Sequence, residues 1–137
     1  MSTYQGSCLC GGISLEIKGA ITDIIHCHCS LCRKSSGTAY ATNGFVLTSD
    51  FKITKGETLL KHFELRPGKK RHFCAVCASP IYSSNSSDIS RIRLRLGILD
   101  CDINERPISH NFVTSKANWD DINDCLPHYE KHEPSRA

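Results

Sequence analysis

The chain has 137 residues, which is enough for one domain and too few for two independent cores. Hydrophobic residues make up 39% and charged residues 23%, values that exclude an intrinsically disordered chain. The net charge of +3 falls short of the strongly basic balance of a dedicated nucleic-acid binder. No apolar run approaches the ~20 residues that span a bilayer, so no membrane-spanning helix is expected.

In chain order, Ile13, Leu15 and Ile17 alternate with Ser14, Glu16 and Lys18, the pattern of a half-buried strand. Residues 30–35 are predicted to form one short helical turn. Alternation returns at Phe51-Lys52-Ile53 and His62-Phe63-Glu64-Leu65, around turn signals at Lys55-Gly56-Glu57 and Arg66-Pro67-Gly68. Lys69-Lys70-Arg71-His72 is expected as an exposed turn, and the SSNSS run at 83–87 as a polar loop. Over 91–99, Ile92, Leu94, Leu96 and Ile98 alternate with Arg91, Arg93, Arg95 and Gly97, predicting a strand with a solvated basic face. That face could instead grip the carboxylates of a small ligand. A second helical turn is expected at Trp119-Asp120-Asp121-Ile122 with Leu126, and a polar tail that frays after Pro127. The expected fold class is mainly β, with many short antiparallel strands and little helix.

Nine cysteines are the informative count. The N-terminal MSTYQGSC has neither a basic region nor an apolar stretch of a secretory leader, so a cytoplasmic setting is expected, where clustered cysteines bind metal more often than they form disulfides. Cys74-x-x-Cys77 is a standard zinc knuckle, and Cys8-x-Cys10 offers two more sulfurs on a glycine-rich turn. Together they make a closed four-cysteine zinc site.

Cys27-x-Cys29-x-x-Cys32 contains three cysteines, and three protein ligands with an open fourth position are the arrangement of a catalytic zinc. Two Zn²⁺ per chain are therefore expected. Alternatively Cys101, His26 or His28 closes the second site, or an oxidised pair forms within it. Cys101 is flanked by Asp100 and Asp102, which oppose thiolate formation, and Cys125 lies outside the clusters.

The stretches Gly6-Ser7-Cys8-Leu9-Cys10-Gly11-Gly12, Cys27-His28-Cys29-Ser30-Leu31-Cys32-Arg33 and Phe73-Cys74-Ala75-Val76-Cys77 resemble the glutathione-dependent formaldehyde-activating enzyme family. Lys116-Ala117-Asn118-Trp119 and Asp124-Cys125-Leu126-Pro127 are similar to that family's closing segment, so the resemblance covers about residues 4–130 of one zinc-binding domain. It implies a β-tent fold of several small antiparallel sheets clipped by zinc. It also implies a structural zinc at Cys8, Cys10, Cys74 and Cys77, and a second, catalytic zinc at Cys27, Cys29 and Cys32. The implied activity is a carbon–sulfur lyase type, joining glutathione and formaldehyde into S-hydroxymethylglutathione, with His26 and His28 as candidate acid or base. The chain departs from the family at Ala78, where glycine is usual; alanine costs roughly 1 kcal/mol in a left-handed backbone conformation. The competing expectation is a non-catalytic, zinc-stabilised binding module for a protein or nucleic-acid partner.

Overall fold

The structure is a computed structural model and describes residues 3–136; Met1, Ser2 and Ala137 lie outside the described residues. Ten strands and one short α-helix form in the order β1 (Thr3–Ser7), β2 (Ser14–Lys18), β3 (Thr22–Cys27), α1 (Ser30–Ser36), β4 (Ala41–Leu47) and β5 (Phe51–Lys55). There follow β6 (Leu60–Arg66), β7 (Lys69–Cys74), β8 (Pro80–Asn85), β9 (Arg91–Arg95) and β10 (Ser109–Asn111). The fold is mainly β, as the alternation predicts. The strands assort into a three-stranded sheet, β1-β2-β5, and a seven-stranded sheet, β10-β3-β4-β9-β8-β7-β6. All neighbours pair antiparallel except β10 with β3, which is parallel.

The main core lies between the two sheets. Ile13, Leu15 and Ile17 from the first sheet meet Ile24, Ile81 and Leu94 from the second, each at most 2% exposed. A smaller apolar cluster of Ile25, Cys27, Cys32 and Ala41, with Phe112 packed on it, sits on the other face of β3. This is the period-two rule at work: Ile24 points into one core while Ile25 and Cys27 point into the other.

Several expectations are corrected. Lys69–His72 belongs to β7 and pairs with both β6 and β8, because the turn closes earlier, at Pro67-Gly68. Ser83–Asn85 completes β8, so only the end of the polar run is loop. The strand from Arg91 stops at Arg95 and continues as a 3-10 turn over Leu96–Ile98. No helix forms around Trp119, which is 68% exposed; Asp124 accepts from the Leu126 amide in an Asx turn, and so short an unpacked segment cannot meet the cost of helix nucleation. The residues after Pro127 do not fray. The Tyr129 amide donates to the His110 carbonyl, the Phe112 amide donates to the Lys131 carbonyl, and Glu133 is buried.

The basic face of β9 is not solvated. Arg95 is buried, and Arg91 and Arg93 stack over the Phe45 ring with guanidinium carbons 3.7 and 5.2 Å from its centroid. Helix α1 and the C-terminal segment cover the side of the sheet that alternation assigned to water.

Two backbone positions test the turns around the cysteines. Ala78 sits at φ +64°, the left-handed conformation implied by its place in the knuckle, with its amide donating to the Cys74 carbonyl. Gly56 has φ +76°, and a Cβ there would lie 1.9 Å from the Gly12 carbonyl oxygen in the turn that carries Cys10. Ala78→Gly is expected to raise the unfolding free energy by up to about 1 kcal/mol, and Gly56→Ala to lower it by more than about 1 kcal/mol. Denaturant unfolding of the metal-loaded proteins checks both signs.

Candidate metal centres and the adjoining cavity

The first cysteine cluster forms where two strand pairs are clipped together. β1 ends at Ser7, and the chain turns through Cys8–Gly12 before β2 begins. β7 ends on Cys74, and the knuckle leads into β8. The two turns are locked to each other, with the Leu9 amide donating to the Ser79 hydroxyl at 2.8 Å. The sulfurs of Cys8, Cys10, Cys74 and Cys77 all lie within 4.8 Å of one another. The Cys8–Cys10 separation is 3.6 Å and the Cys10–Cys74 separation 3.8 Å. A tetrahedral ion with sulfur ligands at about 2.3 Å requires sulfurs about 3.8 Å apart, so the set fits a thiophilic divalent cation. Amide donors point at the sulfurs, Ile13 to Cys8 at 3.2 Å and Gly12 to Cys10 at 3.4 Å.

Electrostatics within this set agree with that fit. The Ser79 hydroxyl and amide hold the Cys77 thiol down to about 5. The Gly12 amide favours the Cys10 thiolate, but hydrogen bonding with Cys8 and desolvation carry that thiol up to about 11. Sulfurs so close cannot all ionise together unless a cation joins them.

The second cluster is built by the end of β3 and the start of α1. Cys27 is the last residue of β3, Cys29 caps the helix by accepting the Cys32 amide at 3.3 Å, and Cys32 is the buried residue of the helix. The helix has only seven residues and is held by its ends: Gly37 terminates it at φ +71°, its amide donating to the Arg33 carbonyl. The three sulfurs lie within 4.8 Å of one another, and among the described residues no further histidine, cysteine or carboxylate ligand joins them. Hydrogen bonding among the sulfurs pushes Cys27 well above the usual thiol range and Cys29 far below it. This set also fits a thiophilic cation, with one coordination position left free.

Cys101 does not close the trio. Its sulfur instead lies 3.4 Å from the Gln5 amide, on the exposed edge of β1, and Cys125 is exposed. His26 and His28 belong to the opposite face of β3 from Cys27. His26 Nδ1 pairs with the Thr42 hydroxyl at 2.8 Å. His28 Nε2 pairs with His110 Nδ1 at 2.8 Å, and His110 Nε2 in turn with Asp124 at 2.8 Å. Burial holds His28 down to about 4 and lowers His26 as well. His26 and His28 are neutral at pH 7, and the hydrogen bonds from His28 through His110 to Asp124 fasten the end of β3, β10 and the loop before Pro127 to one another.

A cavity of about 200 Å³ opens beside the trio, lined by Cys27, Cys29 and Cys32. Lys69, Arg71, Arg93 and Arg136 supply a cationic wall, and Phe112 and His132 an aromatic one. Arg71 donates to the Ser35 hydroxyl at 2.7 Å, which ties β7 to α1. Arg95 stands behind the trio, donating to the same hydroxyl at 3.3 Å, with its other terminal nitrogen unpartnered. Phe112 sits at φ +57°, an uncommon conformation for a bulky residue that puts its ring against the sulfur cluster. Of these lining residues, the arginines of β9 were visible in the sequence as a face; Arg136 and His132 carried no local signal because they come from a tail with no periodicity.

The chain is mainly β, with two cysteine clusters that could each hold a metal ion, the second of them beside a cationic cavity. The sequence profile of the family described as glutathione-dependent formaldehyde-activating enzyme matches residues 3–115. The chain belongs to that family. A curated Halomonas elongata protein named "Putative glutathione-dependent formaldehyde-activating enzyme" is 28% identical over 127 residues, covering 86% of this chain and 80% of that protein. A Rhodobacter sphaeroides protein of solved crystal structure shares the fold, with a TM-score of 0.62 at 23% identity, covering 75% of this chain and 97% of that one.

Metal content separates the two centres. Protein purified without added metal is expected to carry two ions per chain by elemental analysis. Cys74→Ser should lose one of them together with several kcal/mol of stability, because the first cluster joins the two sheets. Cys27→Ser should lose only the other and keep a cooperative unfolding transition. An unchanged metal count in Cys27→Ser would show that the trio holds no ion.

Proposed function

We propose that the chain is a zinc-dependent enzyme of carbon–sulfur lyase type, acting on the adduct of a small anionic thiol and formaldehyde, with glutathione as the thiol. The observation that carries this reading is the open sulfur trio at the base of a cavity walled by guanidinium and ammonium groups. In this reading Cys8, Cys10, Cys74 and Cys77 hold a structural zinc, and Cys27, Cys29 and Cys32 hold the second. A zinc ion bound there supplies Lewis acidity, favouring the thiolate form of a coordinated thiol at neutral pH.

The chain's own residues do the rest. Lys69, Arg71 and Arg93 attract and orient the carboxylates of the thiol, in a cavity sheltered enough for charge-assisted hydrogen bonds to outweigh hydration. In the condensing direction a sulfur lone pair forms the S–C bond to the formaldehyde carbon. The carbonyl π pair moves to oxygen, and that oxygen takes the proton the thiol has given up. Lyase turnover is the reverse: the C–S pair returns to sulfur as the hydroxyl proton leaves. We assign that proton to His132, the partly exposed imidazole on the cavity wall, which partial desolvation and the Arg136, Arg93 and Lys69 charges hold down to about 4 and therefore neutral at pH 7. His26 and His28, away from the cavity, support the strand that ends in Cys27.

The binding-module alternative relied on a basic surface along β9, and no observation favours it, since Arg95 is buried and Arg93 turned into the cavity. The test is S-hydroxymethylglutathione formation from glutathione and ¹³C-formaldehyde, followed by NMR against the uncatalysed rate. Wild type should accelerate it, Cys29→Ser should fall to background, and Arg93→Ala should raise KM for glutathione about ten-fold or more. A wild-type rate equal to background, with both metals present, would overturn the proposal.

A further inference from the structure

The family profile ends at residue 115, yet part of the cavity wall comes from the chain beyond it. After Pro127 the backbone runs back along β10. The His110 amide donates to the Pro127 carbonyl and the Tyr129 amide to the His110 carbonyl, both at 2.9 Å. The Val113 and Phe112 amides donate to Tyr129 and Lys131 carbonyls. Glu133 then inserts its side chain, 2% exposed, beneath the segment, where it accepts from Asn111 Nδ2 at 3.4 Å. Ser135 bonds Asp23 at 3.1 Å, so the segment is anchored at both ends.

This path delivers Arg136 to the mouth of the sulfur trio's cavity. Its side chain is 10% exposed and its guanidinium carbon lies 4.9 Å from the Phe45 centroid, on the ring that Arg93 also contacts. Glu133 holds one terminal nitrogen of Arg136 at 2.8 Å, and the Nε–H has no partner. Arg93 is in the same state: its Nε–H is unpartnered, and among the described residues no carboxylate pairs with it. Two desolvated guanidinium groups on one cavity wall, with a single carboxylate that pairs only Arg136, form a site short of one anion. A ligand carboxylate in the cavity would supply the missing counter-charge.

We infer that Arg136, carried by residues 128–136, works with Arg93 to bind a carboxylate of the thiol, so that the C-terminal segment sets specificity for an anionic thiol over a neutral one. The inference rests on the reading of the trio as a thiol site. Glu133 fixes the fork of Arg136, while Arg93 supplies the uncompensated charge. Neither group handles a proton; their work is recognition.

The experiment measures binding of glutathione and of its diethyl ester, whose carboxylates are masked, to metal-loaded full-length protein by calorimetry. Wild type should prefer glutathione about ten-fold or more, the effect of one charge-assisted hydrogen-bond pair. Arg136→Gln should lose that preference through weaker glutathione binding, with ester binding and metal content unchanged. Arg136→Lys, which keeps the charge without the fork, should fall between the two and carries the test if Arg136→Gln does not fold. Equal loss of both ligands, or wild-type preference retained in both variants, would overturn the inference and leave the thiol site standing. Wild type that binds the ester as tightly as glutathione would overturn it too. Wild type that binds neither thiol would overturn the thiol-site reading and this inference with it.

Discussion

Four sulfurs drawn from turns some 65 residues apart converge to near-tetrahedral spacing, and the rest of the architecture depends on that junction. The first sheet has only three short strands and touches the second through one apolar layer, mostly Ile and Leu, with the Phe51–Tyr82 ring pair crossing between them. Four sulfurs gathered by one ion would pin the end of this layer where β1–β2 meets β7–β8. Clipping β1–β2 to β7–β8 gives the larger sheet a fixed partner. It also explains the glycines and the strained Ala78 around the cysteines, because sulfurs can meet at this distance only on very tight turns.

The second cluster follows a different logic. Its three sulfurs are gathered within six residues, so local structure alone assembles them: a strand end, a helix cap and the first turn of that helix. Because no distant ligand is needed, the fourth direction is free to face a cavity. What surrounds that cavity is non-local. β7 supplies Lys69 and Arg71, β9 supplies Arg93, and the C-terminal segment supplies His132 and Arg136. Arg93, and Arg95 behind the trio, are desolvated by burial, a cost that the nearby Cys32 sulfur partly offsets.

On the far face of β3, an ordered row of imidazoles ends in Asp124. Its groups hydrogen-bond to one another where apolar packing would be expected, and it spans three separate parts of the chain. It joins the end of the strand bearing Cys27 to β10, whose backbone in turn bonds the segment that closes the cavity, so the trio and its outer wall are linked through β10.

Strand periodicity, the turns at Lys55–Glu57 and Arg66–Gly68, the helix after Cys29 and both cysteine groupings were legible in the sequence, because each is encoded by spacing within a few residues or by the chemistry of sulfur itself. The left-handed backbone at Ala78 was legible through the family resemblance, in which glycine usually stands there. What the sequence did not disclose is which side of a strand is covered, and by what. Alternation places Arg91, Arg93 and Arg95 on one face but cannot say that α1 and the C-terminal segment lie over it. Nor can it show that a tail with no apolar period folds back, since that segment is held by backbone hydrogen bonds and one buried carboxylate. The sequence by itself determined the two cysteine groupings and the mainly β character, through local spacing. Only the tertiary structure decided that the trio opens onto a cationic cavity, that His26 and His28 face away from it, and that Arg136 helps to wall it, because each depends on contacts between residues far apart in the chain.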